Sequence, residues 1–251
     1  LKKSSNMKSA FTKVAIGLSL VLGMALVSCE ELGILSESVG VTDEDVINGL
    51  RQALEVGTDT AVSHLNVQDG FYKDELVKIL LPAEAQPVYD ILNLLPSGIV
   101  DETILSINRA AEDAAKEATP IFLGAIHELT IEDGWGILNG NDTAATTYLR
   151  SKTYQKLFDA FQPKIEASLA KDLVLGISAE NLYSKLINLY NTASIGGLLF
   201  DEINTNSLSE HTTNRALRGL FIKVGNEETL IRENPTHRVT QLLQQVFAEQ
   251  D

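Results

Sequence analysis

An all-α domain spanning residues 42–251 is predicted by three features of the chain. Apolar residues recur at three- and four-residue steps through nearly the whole span. Short turns carrying helix-capping residues separate the periodic segments, and no internal repeat, low-complexity block or linker divides them. With 44% hydrophobic residues, the 251-residue chain holds enough apolar material for one sizeable core.

Thr42 or Asp43 is placed to cap a first helix reaching about residue 65. Its Val46, Ile47, Leu50, Leu54, Ala61, Val62 and Leu65 share one broad face, and Gly57 weakens it midway. Gln68-Asp69-Gly70 signals a turn before Phe71-Tyr72. The apolar run 76–81 is too short for its pattern to separate strand from helix. Pro82 suits a first helical turn, so a helix is expected over about 82–94, with Pro96 stopping it. Over about 98–118, Ile104, Ile107, Ala111, Ala114 and Ala118 form a narrow seam whose alanines let a partner helix approach closely.

Thr119-Pro120 restarts a helix to about 129, with Thr119 as its cap. Thr130-Ile131-Glu132-Asp133 is a capping box with Asp in place of Glu, opening a short helix to about 139. Gly140 reads as a left-handed stop, and Asn141 or Asp142 as the cap of a long helix from about 143 into the 170s. Pro163 should kink or break that helix. Ser178 caps a helix to about 191, and the loop 194–206 carries Gly196-Gly197. A long helix follows over about 207–233. Asn234-Pro235 opens the last one, striped by Val239, Leu242, Leu243, Val246 and Phe247. The sum is a single multi-helix, bundle-like domain of eight or nine helices, with tight antiparallel turns at 139–142 and 234–235.

Residues 1–28 read as an address rather than as part of this fold. Lys2, Lys3, Lys8 and Lys13 precede an apolar run at 14–27 that is too short to span a bilayer comfortably, the pattern of a secretory signal peptide. Because residue 1 is leucine, either Leu1 represents an alternative start or translation begins at Met7. The sole cysteine, Cys29, closes Leu26-Val27-Ser28-Cys29, which resembles a bacterial lipobox. That chemistry needs a thiol to take the lipid and small residues so that the peptidase can reach the bond. Two or more acyl chains on one residue give stable anchoring, where one gives only marginal binding. Residues 29–41 are then the lipidated cysteine and its tether. Glu30-Glu31 fits either an acidic export tag of surface lipoproteins or a solvated linker. The expected location is the bacterial cell envelope, anchored to the outer membrane on its periplasmic or surface face.

The formal net charge is −14, and removal of residues 1–28 takes four lysines and no acidic residue, giving −18. So acidic a chain repels phosphate backbones, so nucleic acid is not an expected partner. One cysteine allows no intrachain disulfide.

Several segments occur together in order: Asp69-Gly70-Phe71-Tyr72-Lys73, Asn108-Arg109-Ala110-Ala111-Glu112 and Thr130-Ile131-Glu132-Asp133. Ile137-Leu138-Asn139-Gly140, Ala144-Ala145-Thr146 with Tyr148 and Arg150, Gly219-Leu220-Phe221, Ile231-Arg232 and Asn234-Pro235 continue the series. Over about residues 40–248 the chain resembles a family of uncharacterised bacterial lipoproteins known only as a domain of unknown function. The resemblance implies a helical, lipid-anchored envelope protein and assigns no catalytic or binding residue. Against that pattern, 175–177 and 195–200 read as longer, more apolar insertions.

His64, His127, His211 and His237 are scattered, and His127-Glu128 lacks the second histidine of a zincin helix. No Gly-x-Ser-x-Gly elbow, P-loop or dinucleotide-binding glycine fingerprint occurs. Asn139-Gly140-Asn141-Asp142 lacks the spacing and closing glutamate of a calcium loop. No cofactor or metal is expected. One polar constellation remains. Asn108, Arg109 and Glu112 lie on adjacent turns of the alanine-seamed helix, Glu132 and Asp133 begin the short helix, and Arg150 follows one helix later. If these converge, they form either a polar ligand pocket or a set of inter-helix salt bridges and caps, and the second is the expected reading. The function expected is a lipid-anchored binding or interaction module, held to the membrane through Cys29 and meeting an envelope protein partner. The alternative is a small-molecule or lipid carrier with a pocket between helices, and catalysis ranks third.

Overall fold

Threonine and serine hydroxyls start four of the nine α-helices found among the described residues. The structure, a computed structural model, describes residues 42–92, 98–172, 176–204, 207–238 and 240–248. Residues 1–41, read above as signal, Cys29 and tether, lie outside these with Pro96, Leu175 and Val239, as does the side chain of Leu243. The helices are α1 (Asp43–Leu65), α2 (Gln86–Leu92), α3 (Ile99–Ala115), α4 (Ala118–His127), α5 (Ile131–Leu138), α6 (Ala144–Leu169), α7 (Ala179–Ser194), α8 (Leu208–Glu233) and α9 (Gln241–Ala248). No strand occurs among the described residues, and no helix there is long and apolar enough to cross a membrane. The chain is all-α, as its periodicity predicts.

Capping boxes form at α5, as expected, and at α1, where Thr42 rather than Asp43 is the cap. Asp45 N–H donates to Thr42 Oγ1 at 3.1 Å, and Thr42 N–H to the Asp45 carboxylate at 3.0 Å. Thr130 and Asp133 repeat the exchange at 3.1 and 3.2 Å. Aspartate closes the box as glutamate does, since its carboxylate still reaches the cap N–H. Ser178 and Ser207 accept from Asn181 N–H and Glu210 N–H at the starts of α7 and α8.

Elsewhere the sequence reading needs correction. Pro82 opens only a 3₁₀ turn at Ala83–Ala85, and α2 proper begins at Gln86. Thr119 does not cap α4. The helix begins at Ala118, and the Glu117 side chain in the cap position does not cap it but pairs with Lys164 at 3.2 Å. Pro120 then falls in the first turn, where its missing N–H would have had no helical partner anyway. Gly140 is not left-handed. A Cβ there would lie 2.4 Å from that of Ala144, so the residue is glycine for closeness rather than for dihedral freedom. Pro163 does not break α6. It and Asp159, whose carbonyl it leaves without a helical donor, both face solvent, while Phe161 and Ile165 beside it are fully buried. Asn234-Pro235 opens a single 3₁₀ turn, Pro235–His237, and not α9. Residues 71–81 form turns and irregular chain, neither strand nor helix.

Helices α1, α3, α6 and α8 make the centre of the bundle. α8 packs on α1, α3 and α6, and α3 packs on α6. Of the predicted seam, Ile107, Ala111 and Ala114 are fully buried on α3, with Ala110 and Ala115 beside them; Ile104 is only partly buried, and Ala118, though buried, opens α4 instead of continuing this helix. Leu149, Leu157, Phe161 and Ile165 of α6 and Leu217 and Leu220 of α8 are likewise sealed from solvent.

Helix α6 is capped from another helix instead of by Asn141 or Asp142. Asn141 closes only a local turn, accepting from Thr143 N–H at 3.1 Å. The Glu228 carboxylate on α8 accepts Ala145 N–H at 2.9 Å, Thr146 N–H at 2.8 Å and the Thr146 hydroxyl at 2.8 Å. One turn on, Arg232 pairs with Glu228 at 3.0 Å and donates to the Ile137 and Leu138 carbonyls at the end of α5. Two adjacent side chains of α8 therefore clamp both sides of the α5–α6 turn.

Both members of this pair are over nine-tenths buried. Glu228→Ala should cost about 3–5 kcal/mol, because it strands two N–H groups and a buried guanidinium. Glu228→Gln should cost less, since its amide oxygen still accepts. Chemical denaturation of the three proteins measures the order.

His211, half-buried at the start of α8, donates from Nε2 to the Leu80 carbonyl at 2.9 Å and so ties the irregular segment to the bundle. Burial pushes its pKa below the ordinary 6.5. The Leu80 carbonyl and Glu84 oppose that shift, and Arg215 adds to it. As pH falls through about 6.5, the unfolded chain therefore takes up a proton that the folded one resists, and stability drops. A melting profile against pH should decline below that point, and His211→Gln should flatten the decline.

Candidate functional site

The first three residues of the expected constellation do meet, around the irregular segment. Asn108, Arg109 and Glu112 face residues 69–79 from one side of α3. Asn108 is fully buried. Its Oδ1 accepts Ile79 N–H at 2.9 Å, and its Nδ2 donates to the Ile79 and Ile104 carbonyls, both at 2.8 Å. A single amide thus does for Ile79 what a neighbouring strand would do, which gives the irregular chain its backbone partners without a sheet.

Glu112 seats the other end of that segment. Its Oε1 accepts Phe71 N–H at 3.1 Å and Tyr72 N–H at 3.2 Å, while Oε2 holds Arg109 at 2.6 Å. Arg109 reaches on to Asp69 at 2.6 Å, and Asp69 takes Lys73 at 2.7 Å. The Tyr72 ring lies 5.8 Å from the Arg109 guanidinium and 4.5 Å from Lys78 Nζ. The turn is built for this. Asp69 sits at φ 70°, a left-handed conformation that aspartate tolerates. At Gly70 a Cβ would approach the His64 carbonyl to 2.5 Å, so no larger residue fits. Bonds from Lys73 and Arg109 hold the Asp69 carboxyl below the usual carboxylate range. Burial works against charge on Arg109, and Glu112 and Asp69 overcome it, raising its pKa further above the ordinary value.

Glu132, Asp133 and Arg150 do not join this cluster. Asp133 is spent on the Thr130 cap, and Glu132 is exposed. Arg150 lies over Tyr154 at 5.6 Å and Phe221 at 5.8 Å. Asp69 was read only as a turn residue and Lys73 only as part of the family pattern, yet they complete the ion network. The signal for Lys73 is its opposite charge four residues after Asp69, whereas nothing local points Asp69 at Arg109, 40 residues away.

Beside Arg109 runs an open groove of about 700 Å³ between the end of α1, α3 and the end of α6, with Glu102, Asp113, Lys171 and Asp172 on its walls. Both charge signs line it, and Arg109 is its one strongly held cation. The interior offers less room. One cavity of about 20 Å³ lies beside Glu228 and Leu50, and another of about 10 Å³ beside Tyr89. Each has space for about one water molecule and none for an organic ligand. Among the described residues, no group of three or more His, Cys, Asp or Glu side chains could hold a metal ion.

The model of a family described as a protein of unknown function, DUF4197, matches residues 40–248. The chain belongs to that family. The match spans all nine helices, the Asp69–Arg109–Glu112 network and the Glu228–Arg232 pair. No curated protein and no solved structure matches this DUF4197 chain.

Burial separates structural from surface roles within the network. Asn108→Ala leaves the N–H and carbonyl of Ile79 without partners and should cost about 2–4 kcal/mol. Arg109, a third exposed, should cost about 1 kcal/mol or less as Arg109→Ala, because solvent screens it. Thermal melts of both variants test this order.

Proposed function

We propose that this chain is a lipid-anchored cell-envelope protein that acts by binding or interaction rather than by catalysis. The observation that carries the reading is the position of Cys29, the only thiol in the chain, directly after the basic and apolar address segment. Diacylation there, followed by cleavage before Cys29, leaves an acidic helical domain on a short tether at the membrane. The location proposed is the outer membrane, and the partner an envelope protein.

The polar cluster supports a non-catalytic reading by how its groups are used. Glu112 accepts two backbone N–H groups and one guanidinium, and Asn108 is saturated by backbone. A carboxylate so occupied is poorly placed to move a proton or attack a substrate. A second reading, small-molecule binding, draws on the open groove beside Arg109, where the exposed part of the guanidinium faces solvent. It applies to a polar ligand at the surface, since the cavities beside Glu228 and Tyr89 are water-sized.

Cys29→Ser should abolish acylation and signal cleavage, leaving a longer protein without diacylglycerol. Mass spectrometry of the protein from a membrane fraction reads both. Recovery of that variant processed and membrane-held would overturn the proposal.

A further inference from the structure

Among the described residues, the longest stretch without a charged residue lies at the end of α7. From Leu186 to Phe200 no residue is charged, in a domain whose net charge is strongly negative. Leu189, Ile195, Leu198 and Leu199 are each more than 60% exposed there, and Leu198 reaches 78%. Half of the exposed large hydrophobic residues of the described chain fall in this one segment.

The exposure is built rather than incidental. Ile195, Gly196 and Gly197 are consecutively left-handed, at φ 53°, 64° and 80°. A β-branched residue adopts that conformation against its own sterics, so the turn is held from outside. Ser194 holds it, its Oγ accepting Gly197 N–H at 3.1 Å and its carbonyl accepting Leu199 N–H at 3.0 Å. Below the tip, Asn191 clamps the returning chain through Ile203 N–H at 2.8 Å and the Ile203 carbonyl at 3.0 Å. The Phe200 ring packs on Tyr190 at 4.6 Å, a pairing of an apolar ring with one whose hydroxyl suits a water boundary.

We propose that this loop enters the surface of a lipid bilayer, placing Ile195, Leu198 and Leu199 at the boundary of headgroups and acyl chains. The inference rests on the lipid-anchored reading above. A tether from Cys29 to Thr42 reaches at most about 45 Å, comparable with the length of α6, so the domain never leaves the neighbourhood of the membrane. Charge then selects the face. An anionic leaflet repels the acidic body, and the uncharged tip is the part that approaches without that penalty. The tip that inserts, 195–199, itself carries no charged side chain to desolvate, and the aromatic pair sits where interfacial rings are favoured.

Trp135 is the only native tryptophan, so the intact chain carrying Trp135→Phe and Leu199→Trp reports from the tip alone. The protein is reconstituted into phosphatidylcholine vesicles and floated. The expected result is blue-shifted emission, quenched about twofold or more by brominated lipid at a depth of about 5–10 Å and protected from aqueous iodide. A further Leu198→Asp change should remove that quenching while the circular dichroism stays unchanged. Emission open to iodide and blind to brominated lipid, in protein that floats, overturns this inference and leaves the anchor standing. Emission shielded from both quenchers overturns it in favour of a contact between protein copies. Protein that fails to float overturns the anchor, and the loop inference with it. Leu199→Cys labelled with bimane gives the same readout should Trp135→Phe weaken the fold, because the acylated Cys29 leaves no other thiol.

Discussion

Backbone groups at the ends of helices and in the irregular segment 71–81 are satisfied here by side chains from elsewhere in the chain, and the bundle depends on that device. Three glutamates each accept two consecutive N–H groups: Glu228 at Ala145 and Thr146, Glu180 at Leu208 and Ser209, and Glu112 at Phe71 and Tyr72. Three arginines do the converse. Arg51 donates to the His127 and Leu129 carbonyls after α4, Arg232 to those of Ile137 and Leu138, and Arg238 to those of Ile231 and Arg232. Carboxylates at N-termini and guanidinium groups at C-termini also lie favourably in the helix dipoles. A buried backbone group without a partner costs about 1–3 kcal/mol. Each such cap therefore fixes the height and rotation of one element against another more sharply than apolar packing alone.

Helix α8 is where these restraints accumulate. It receives Glu180 at its start, supplies Glu228 and Arg232 to the α5–α6 turn, and is closed at its end by Arg238, which is 2% exposed. Shifting α8 along its axis would break caps on α5, α6 and its own two ends together. The 26-residue helix thus sets the register of the bundle, and the alanine seam of α3 lets its neighbours close around it.

The polar cluster at α3 belongs to the same design. Asn108 and Glu112 hold an irregular segment that has no helix or sheet of its own, and Asp69, Arg109 and Lys73 extend the network toward solvent. The groove beside it inherits mixed charge from that arrangement. At the end of α7 the opposite solution appears: three left-handed residues and a serine hold leucines outward instead of folding them in. In the proposed reading, the acidic body and the neutral tip act together, the one repelled by the membrane and the other free to meet it.

The features legible in the sequence are the short-range ones. Thr42, Thr130, Ser178 and Ser207 bond residues three positions on, and the α3 seam needs only helical period, so both follow from the local chain. The all-α class and most helix spans follow from the same signals. The meeting of Asn108, Arg109 and Glu112 on one side of α3 was also visible, because one helix carries all three. What they hold was not. Asp69 lies 40 residues from Arg109, and Glu228 lies 83 from Ala145. Partners at that distance are chosen by how helices stack, and no local pattern encodes the choice. The same reason removed Glu132, Asp133 and Arg150 from the cluster, left Asn141 and Asp142 without the cap of α6, and kept Pro163 inside a continuous helix. Local chemistry determined which segments coil and where they start; tertiary packing decided which side chains complete them, because a buried backbone group takes whichever donor or acceptor the neighbouring helix brings within reach.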